Sequence, residues 1–594
     1  MSRLTRGIRS RVFRTRCDEE GGFFLVFFSI ILVVMLGFAG FAVDFASWSY
    51  EGQQQQKAAD AAALAGAVYL PDNVPLAMST AQQVASANGY TDGANGGKVH
   101  VTIVQGSRPS QLKVTISNTI DTIFARAVGV KVKTVSRTAT AEYTKPVAMG
   151  SPSAQFGNDP YAGMFTTRGR RPGFWGNIAG PDSPKENGDA YQAGTCSFGD
   201  NCSGGHNSDY DQNGYYYTVR VGPGAPGSMT IQAFDPAFVA VGDNCGANDD
   251  NSNLIGAAGL NKNSVPGYPT AGDLPSVRYA PVTDATNPND PGMQYCTGDH
   301  IFDTSNPPPA TTYKVFGPAS VPGNPASAPS TPICSVTFPG WYAGMDHNAI
   351  NKDLVSRLKS NVPFIPSAPV AGQNTTFGAI FRAWYPICQL SPSQGDYFVQ
   401  VSTSASSGSG HNRFSLCASM STSSCAPASN VGLFGNAKMS IYANVGSSTT
   451  TEFYLARVLP GAPGRTLTLS LFDIGDAPSA GTTGSLTIVR TTDGNDTPLS
   501  SCTYSPPASS STNGPPWNSF QPTPGSCSIT GVSSSQYNGR WIQVKLPIPS
   551  SLNSCNVSDP NDCWVSIQYR FNGSLNDTTS WTASIDGDPV RLVH

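Results

Sequence analysis

The sequence predicts one membrane-crossing helix at the N-terminus, a small α+β segment directly behind it, and a mainly β remainder folded as two homologous β-sandwiches. Three observations carry this expectation. Phe23 to Val43 holds twenty-one residues without a charge, and at about 1.5 Å per residue that run crosses the roughly 30 Å hydrocarbon core of a bilayer. Residues 53–70 then read QQQQKAADAAALAGAVYL, rich in helix formers and free of proline. Further on, RVGPGAPG (Arg220–Gly227) returns as RVLPGAPG (Arg457–Gly464) with seven identities in eight, which marks a duplicated strand–turn–strand unit.

Residues 1–20 form a basic tail. Arg3, Arg6, Arg9, Arg11, Arg14 and Arg16 precede the apolar run and only Lys57 follows it closely, so the excess of cations keeps the N-terminus in the cytoplasm and sends the bulk of the chain across the membrane. A nucleic-acid arm is a poor reading of these arginines, because the bilayer is a few residues away and the chain's net charge is −3. Residues 21–45 are the span. A cleaved signal peptide has a shorter apolar core of about 7–15 residues and ends at a small-residue site; this run is longer and continues into a helical pattern, so a retained anchor is expected.

Residues 46–145 begin with the continuation of that helix to about Leu70, where Pro71 stops it. A second helical patch from Met78 ends at Asp92-Gly93. The period then changes to alternation: Val99, Val101, Ile103 and Leu112, Val114, Ile116 are the buried face of a hairpin. A short helix over Asp121–Gly129 leads to a third strand over Lys131–Tyr143. Asp44, Ala58, Ala59, Asp60, Ala62 and Ala65 are the expected partner-docking residues, since small side chains let a second helix approach closely.

The run FAGFAVDFASWSY followed by QQQQKAADAAALAGA resembles the N-terminal signature of the TadE/TadG-like family of the tight-adherence (Flp-type) pilus-assembly system, with Asp44, Gln56, Ala58–Asp60 and Ala61–Ala65 matching it. The resemblance covers about the first 145 residues, most specifically the helix, and implies a pilin-like helix-plus-sheet segment, a role in pilus assembly and pilus-assembly proteins as partners. Members cut by a prepilin peptidase carry a Glu five residues after a Gly. Here the fifth residue after Gly22 is Phe27, so the uncut, TadG-like branch is the better fit.

Beyond a linker at 146–154 the composition shifts to Ser, Gly, Pro, Asn and Thr with short alternating apolar runs, and the sandwiches are expected over 155–420 and 430–594. Each RV-x-PGAPG turn is preceded by aromatics (Tyr215–Tyr217; Phe453, Tyr454) and followed by a strand ending Phe-Asp. YFVQV from Tyr397 and RFSL from Arg413 answer WVSIQY from Trp564 and SWTASI from Ser580, and GFWGN at Gly173 answers GLFGN at Gly432. Loops at 181–213 and 240–310 enlarge the first copy. The strand pattern loosely resembles the jelly-roll-like pre-peptidase C-terminal domains appended to secreted enzymes.

Cys17 lies on the cytoplasmic side. Twelve cysteines follow the span, and an even set in an oxidising compartment reads as disulfides. Close spacing suggests Cys196–Cys202, Cys417–Cys425, Cys502–Cys527 and Cys555–Cys563, with Cys245–Cys296 and Cys334–Cys388 left over; spacing alone does not fix the connectivity. No C-x-x-C pair exists, which argues against zinc.

The best ion site is Asp209-x-Asp211-x-Asn213-Gly214, with the oxygen spacing of a calcium loop but Arg220 at the twelfth position in place of Glu. A reduced calcium loop and an Asn-Gly turn are its two readings. No other cofactor is expected. No nucleophile elbow, H-E-x-x-H helix or phosphate loop occurs, Asp346-His347 lacks a nucleophile, and His206 and His411 sit in Ser/Gly-rich stretches that suggest exposed turns. A non-catalytic protein follows. Trp175, Trp341 and Trp517 offer either sandwich core or a platform for sugar rings, so a surface adhesin or carbohydrate-binding protein with a borrowed anchor stands beside the pilus reading.

Overall fold

The computed structural model describes residues 21–70, 73–107, 110–143, 146–157, 174–181, 202–203, 206–207, 210–224, 226–238, 309–338, 340, 384–408, 410–422, 425–445, 450–460, 464–472, 474, 483–492, 495–505, 525–532, 541–557, 559, 562–572, 575–586 and 590–593. They form two compact units, 1–143 with 590–594, and 144–589.

The first unit is built on α1 (Gly21–Ala67), whose apolar half is long enough to cross a membrane. α2 (Val74–Ala87) starts where Asn73 accepts a hydrogen bond from the Leu76 N–H at 3.0 Å, and its buried Ala77, Ala81 and Ala85 fall at the helical four-residue interval. Antiparallel strands β1 (Val99–Gln105), β2 (Gln111–Asp121) and β3 (Val132–Tyr143) follow in that order. The helix expected over 121–129 is a single 3-10 turn, Ala125–Val128, closed by Gly129 at φ +93°.

Residues 590–592 do not belong to the second sandwich. They form the last strand of the chain, pairing Val590 with Tyr143, Arg591 with Glu142 and Leu592 with Ala141. The cause is local: β3 has an open edge, Val590 and Leu592 cover the unit's core, and the Arg591 guanidinium lies 3.1 Å from the carboxylate of Glu142, which is 3% exposed.

The second unit holds the strands between. They are β4 (Gln155–Phe156), β5 (Phe174–Ala179), β6 (Cys202–Ser203), β7 (His206–Asn207), β8 (Tyr215–Val221), β9 (Met229–Phe234), β10 (Thr311–Phe316), β11 (Cys334–Phe338), β12 (Trp384–Leu390), β13 (Gly395–Thr403) and β14 (His411–Ser419). Next come β15 (Val431–Asn436), β16 (Lys438–Val445), β17 (Thr450–Arg457), β18 (Thr466–Phe472), β19 (Gly484–Thr492), β20 (Asn495–Pro498), β21 (Thr503–Ser505), β22 (Ser528–Val532), β23 (Trp541–Pro547), β24 (Trp564–Phe571) and β25 (Leu575–Ile585), with β26 being Val590–Leu592 of the first unit.

The duplication is visible in the topology. In the first half one sheet runs β11-β10-β13-β8 and the other β12-β9-β14-β5; in the second half β22-β19-β24-β17 and β23-β18-β25-β16 repeat the same orders. Numbering the eight strands of either half in chain order gives 5-4-7-2 against 6-3-8-1, the two interlocked Greek keys of a jelly roll. Both RV-x-PGAPG turns join strand two to strand three, crossing from one sheet to the other. One detail differs from the sequence reading. The counterpart of β5 is β16, whereas GLFGN is β15, an added strand on the edge of β8. The shared Gly pattern has a steric origin in each place: a Cβ at Gly176 would stand 2.8 Å from the Phe414 ring, and one at Gly435 2.7 Å from the Met439 sulfur.

Nor are the two jelly rolls separate bodies. β5 pairs with β16, so the equivalent edge strands of the two copies join into one ten-stranded sheet. On the other layer the segment read as a linker lies between β15 and β17: Met149 bridges Gly435, Gly150 bridges Tyr454, and Met149 is buried. The two facing layers enclose one continuous core. Trp175, considered above for sugar stacking, is buried at this seam against Phe234, Trp384 and Tyr442. Trp341 and Trp517 lie outside the described residues.

Four disulfides are present among the described residues: Cys334–Cys388, Cys417–Cys425, Cys502–Cys527 and Cys555–Cys563. Each joins a pair suggested by spacing or elimination. Cys17, Cys196, Cys245 and Cys296 lie outside the described residues, as does the side chain of Cys202. Trp175→Ala removes the largest side chain of the seam and is expected to lower the stability of the 144–589 unit by about 3–5 kcal/mol, read as a lower denaturant midpoint with the four disulfides intact.

Candidate functional site

The residues singled out around the end of the span converge on α1. Asp44 is the first charge after the uncharged run, and it is 1% exposed. A buried carboxylate is tolerable only when its oxygens are satisfied. The Ile123 N–H donates to one oxygen at 2.8 Å, and the Phe124 and Ala125 N–H groups donate to the other at 2.8 and 2.5 Å. These donors open the 3-10 turn, where backbone N–H groups have no acceptor of their own. Asp44 thus fastens the β2–β3 connection to the helix. Gly40, one turn earlier, makes room for it: a Cβ there would stand 2.7 Å from the Phe124 ring.

Glu51 makes the second fastening. It accepts from the Gln55 amide at 3.0 Å, the Tyr90 hydroxyl at 3.2 Å and the Asn118 amide at 2.9 Å, tying α1 to the segment after α2 and to β2. Burial, then the Glu51 charge and its hydrogen bond, push the Tyr90 phenol well above its ordinary range. The adjacent Gly52 lets the Arg137 guanidinium cross the helix, since a Cβ would come within 2.7 Å of it.

The alanine face is not free for a partner. Ala58, Ala59, Ala62, Ala63 and Ala67 are buried in the unit's own core, against Ala77 and Ala81 of α2 and Leu112, Val114, Ile116, Ala139 and Ala141 of the sheet. Close approach of a second helix is the correct physical consequence of these small side chains; that helix is α2, whose backbone carbonyl at Ala77 would lie 2.6 Å from a Cβ at Gly66. Ala65 is half-buried, as is Asp60, which accepts from the Gln56 amide at 2.7 Å. Beyond Asp44, what α1 leaves to its surroundings is Phe45, Ser47 and the opposite stripe of Ala46, Tyr50, Gln53 and Lys57. The helical interval of four, three and four residues between them is present in the sequence, but the dense alanine beside it carries the stronger small-residue signal.

Elsewhere the expected sites gather little. Asp209 lies outside the described residues. The Asp211 carboxylate accepts from the Asn213 N–H at 2.8 Å, and the Asp211 carbonyl from the Gly214 N–H at 2.8 Å, so these residues make an Asx-supported turn. Gly214 is obligatory there: its φ is +66°, and a Cβ would stand 1.9 Å from the Val401 carbonyl oxygen. Among the described residues, the group of ligand-type side chains brought together is Cys555, Asp562 and Cys563, whose cysteines are joined to each other. His411, read as an exposed turn residue, opens β14 and is fully buried.

Residues 22–68 match a protein-family model described as putative Flp pilus-assembly TadE/G-like. The match spans α1 from the start of the apolar run to its last turn, and bears out the resemblance of the N-terminal region. No curated protein matches the chain, and no solved structure does.

Ala62→Trp is expected to destabilise the juxtamembrane unit by about 1–3 kcal/mol or more through overpacking. Tyr50→Trp, on the exposed stripe, is expected to stay within about ±0.5 kcal/mol. Thermal melts of the detergent-solubilised protein, followed by protease resistance of residues 46–143, check both.

Proposed function

We propose that this protein is a membrane-anchored, exported and non-catalytic accessory or structural component of a Tad (Flp-type) pilus-assembly system, held with its N-terminus in the cytoplasm and both jelly rolls outside the membrane. The observation that carries the reading is the TadE/G-like match over residues 22–68, on the one element that is both the apolar span and the spine of the adjoining unit. The arginine-rich tail supports the orientation. Disulfides in the 144–589 unit support export. Burial of Trp175 removes one of the three tryptophans that favoured a glycan-binding adhesin.

In this reading pilus-assembly partners meet the exposed stripe of α1, where Tyr50, Gln53 and Lys57 face outward, and not its alanine face. A photo-crosslinking amino acid placed at position 53 in cells should capture Tad components. Piliation should fall when the protein is deleted. Normal piliation in the deletion strain, with no crosslink from position 53, would contradict the proposal.

A further inference from the structure

We infer that the β2–β3 connection is a second membrane contact, an apolar tip that enters the interface of the same bilayer that α1 crosses. Outside α1, ten large apolar side chains are exposed among the described residues, and five of them cluster here: Ile123, Phe124, Val128 and Val130 in the connection and Val132 at the first position of β3. They are 44 to 79% exposed. The other five are scattered singly over both units, as on ordinary protein surfaces, whereas a concentrated patch calls for a partner.

The depth of the tip identifies that partner. Asp44 holds the Ile123, Phe124 and Ala125 N–H groups, and the Phe124 ring lies over Gly40. Gly40 belongs to the uncharged run Phe23–Val43 and sits about 6 Å below Asp44 along the helix. The tip is therefore continuous with the apolar surface of the span, and whatever surrounds Gly40 also meets Phe124. For a spanning helix that medium is lipid. The flanking residues suit an interface as well: Arg126, Lys131 and Lys133 are exposed around the tip, with Lys133 placed 5.9 Å over the ring of Trp48. Cations and tryptophan at headgroup level are what an interfacial contact requires.

The tip is also preorganised. The Thr122 side chain donates to the Val130 and Lys131 carbonyls, the Val130 N–H to the Ala125 carbonyl at 3.1 Å, and Gly129 takes the left-handed turn. Two contacts, the span and the tip, fix the rotation and tilt of α1 where a lone span leaves both to its neighbours.

This inference rests on α1 spanning a bilayer, and the test separates the two claims. The full-length protein is reconstituted in phosphatidylcholine–phosphatidylglycerol vesicles with an environment-sensitive fluorescent amino acid at position 33 in the span, at 128 in the tip, or at 107 in the β1–β2 hairpin at the opposite end of the sheet. Lipids brominated near the headgroup should quench the probe at 128 several-fold more than the probe at 107, while lipids brominated deep in the chain quench position 33. Position 128 quenched no more than position 107, with position 33 quenched, overturns the tip contact and leaves the span. No quenching at 33 overturns both. Val128 is the most exposed of the five, so the probe leaves the core undisturbed.

Discussion

The first unit depends on a division of labour along one helix. The N-terminal half of α1 is apolar on every side, as lipid requires, and its C-terminal half is the central element of a small α+β core. Small side chains make the second role possible: with alanine at 58, 59, 62, 63 and 67, α2 and the sheet approach the α1 backbone closely enough to close the core. Asp44 and Glu51 mark the transition. Each spends its charge on hydrogen-bond donors from the sheet and its connections, so the junction between span and unit is a set of charge-assisted bonds in place of a hinge.

The second unit solves a different problem, the edges of β-sandwiches. Two jelly rolls side by side would expose several unpaired strands. Here the equivalent edges of the two copies, β5 and β16, pair with each other. β15 covers β8, and residues 148–150 lie between β15 and β17. The repeated Arg of the PGAPG turn serves the same corner in each copy by different means. Arg220 makes a two-point contact with the Asp396 carboxylate at 2.8 Å, whereas Arg457 donates to the carbonyls of Val557, Asp559 and Asp562.

Periodicity made most of this architecture legible. The alternation at Val99–Ile103 and Leu112–Ile116 gave the hairpin, and the duplicated turn gave the equivalent strands two and three, because such patterns are set by local burial and turn chemistry. Three features depend on contacts distant in sequence and were not legible. The alanine face reads the same whether its partner helix is α2 or another chain. The pairing of residues 590–592 with β3 joins Arg591 to Glu142, 449 positions apart in sequence. Similarity of GFWGN to GLFGN reflects two separate steric needs for glycine, and so points to the wrong first strand for the second copy. Among site residues, Asp44 has the look of a docking residue and is an internal clasp, and the exposed stripe at 46, 50, 53 and 57 is defined only once the buried face is known.

The central claim, that the polar half of α1 is the buried spine of the first unit, is tested most directly by amide hydrogen exchange of the full-length protein in micelles. An isolated helix of this length is marginal in water, so protection must come from tertiary packing. The account predicts that amides of residues 55–67 exchange as slowly as those at the centre of β2 and β3 and lose protection together with them as denaturant is added. Exchange of residues 55–67 much faster than the sheet, or loss of their protection while the sheet stays protected, would contradict it.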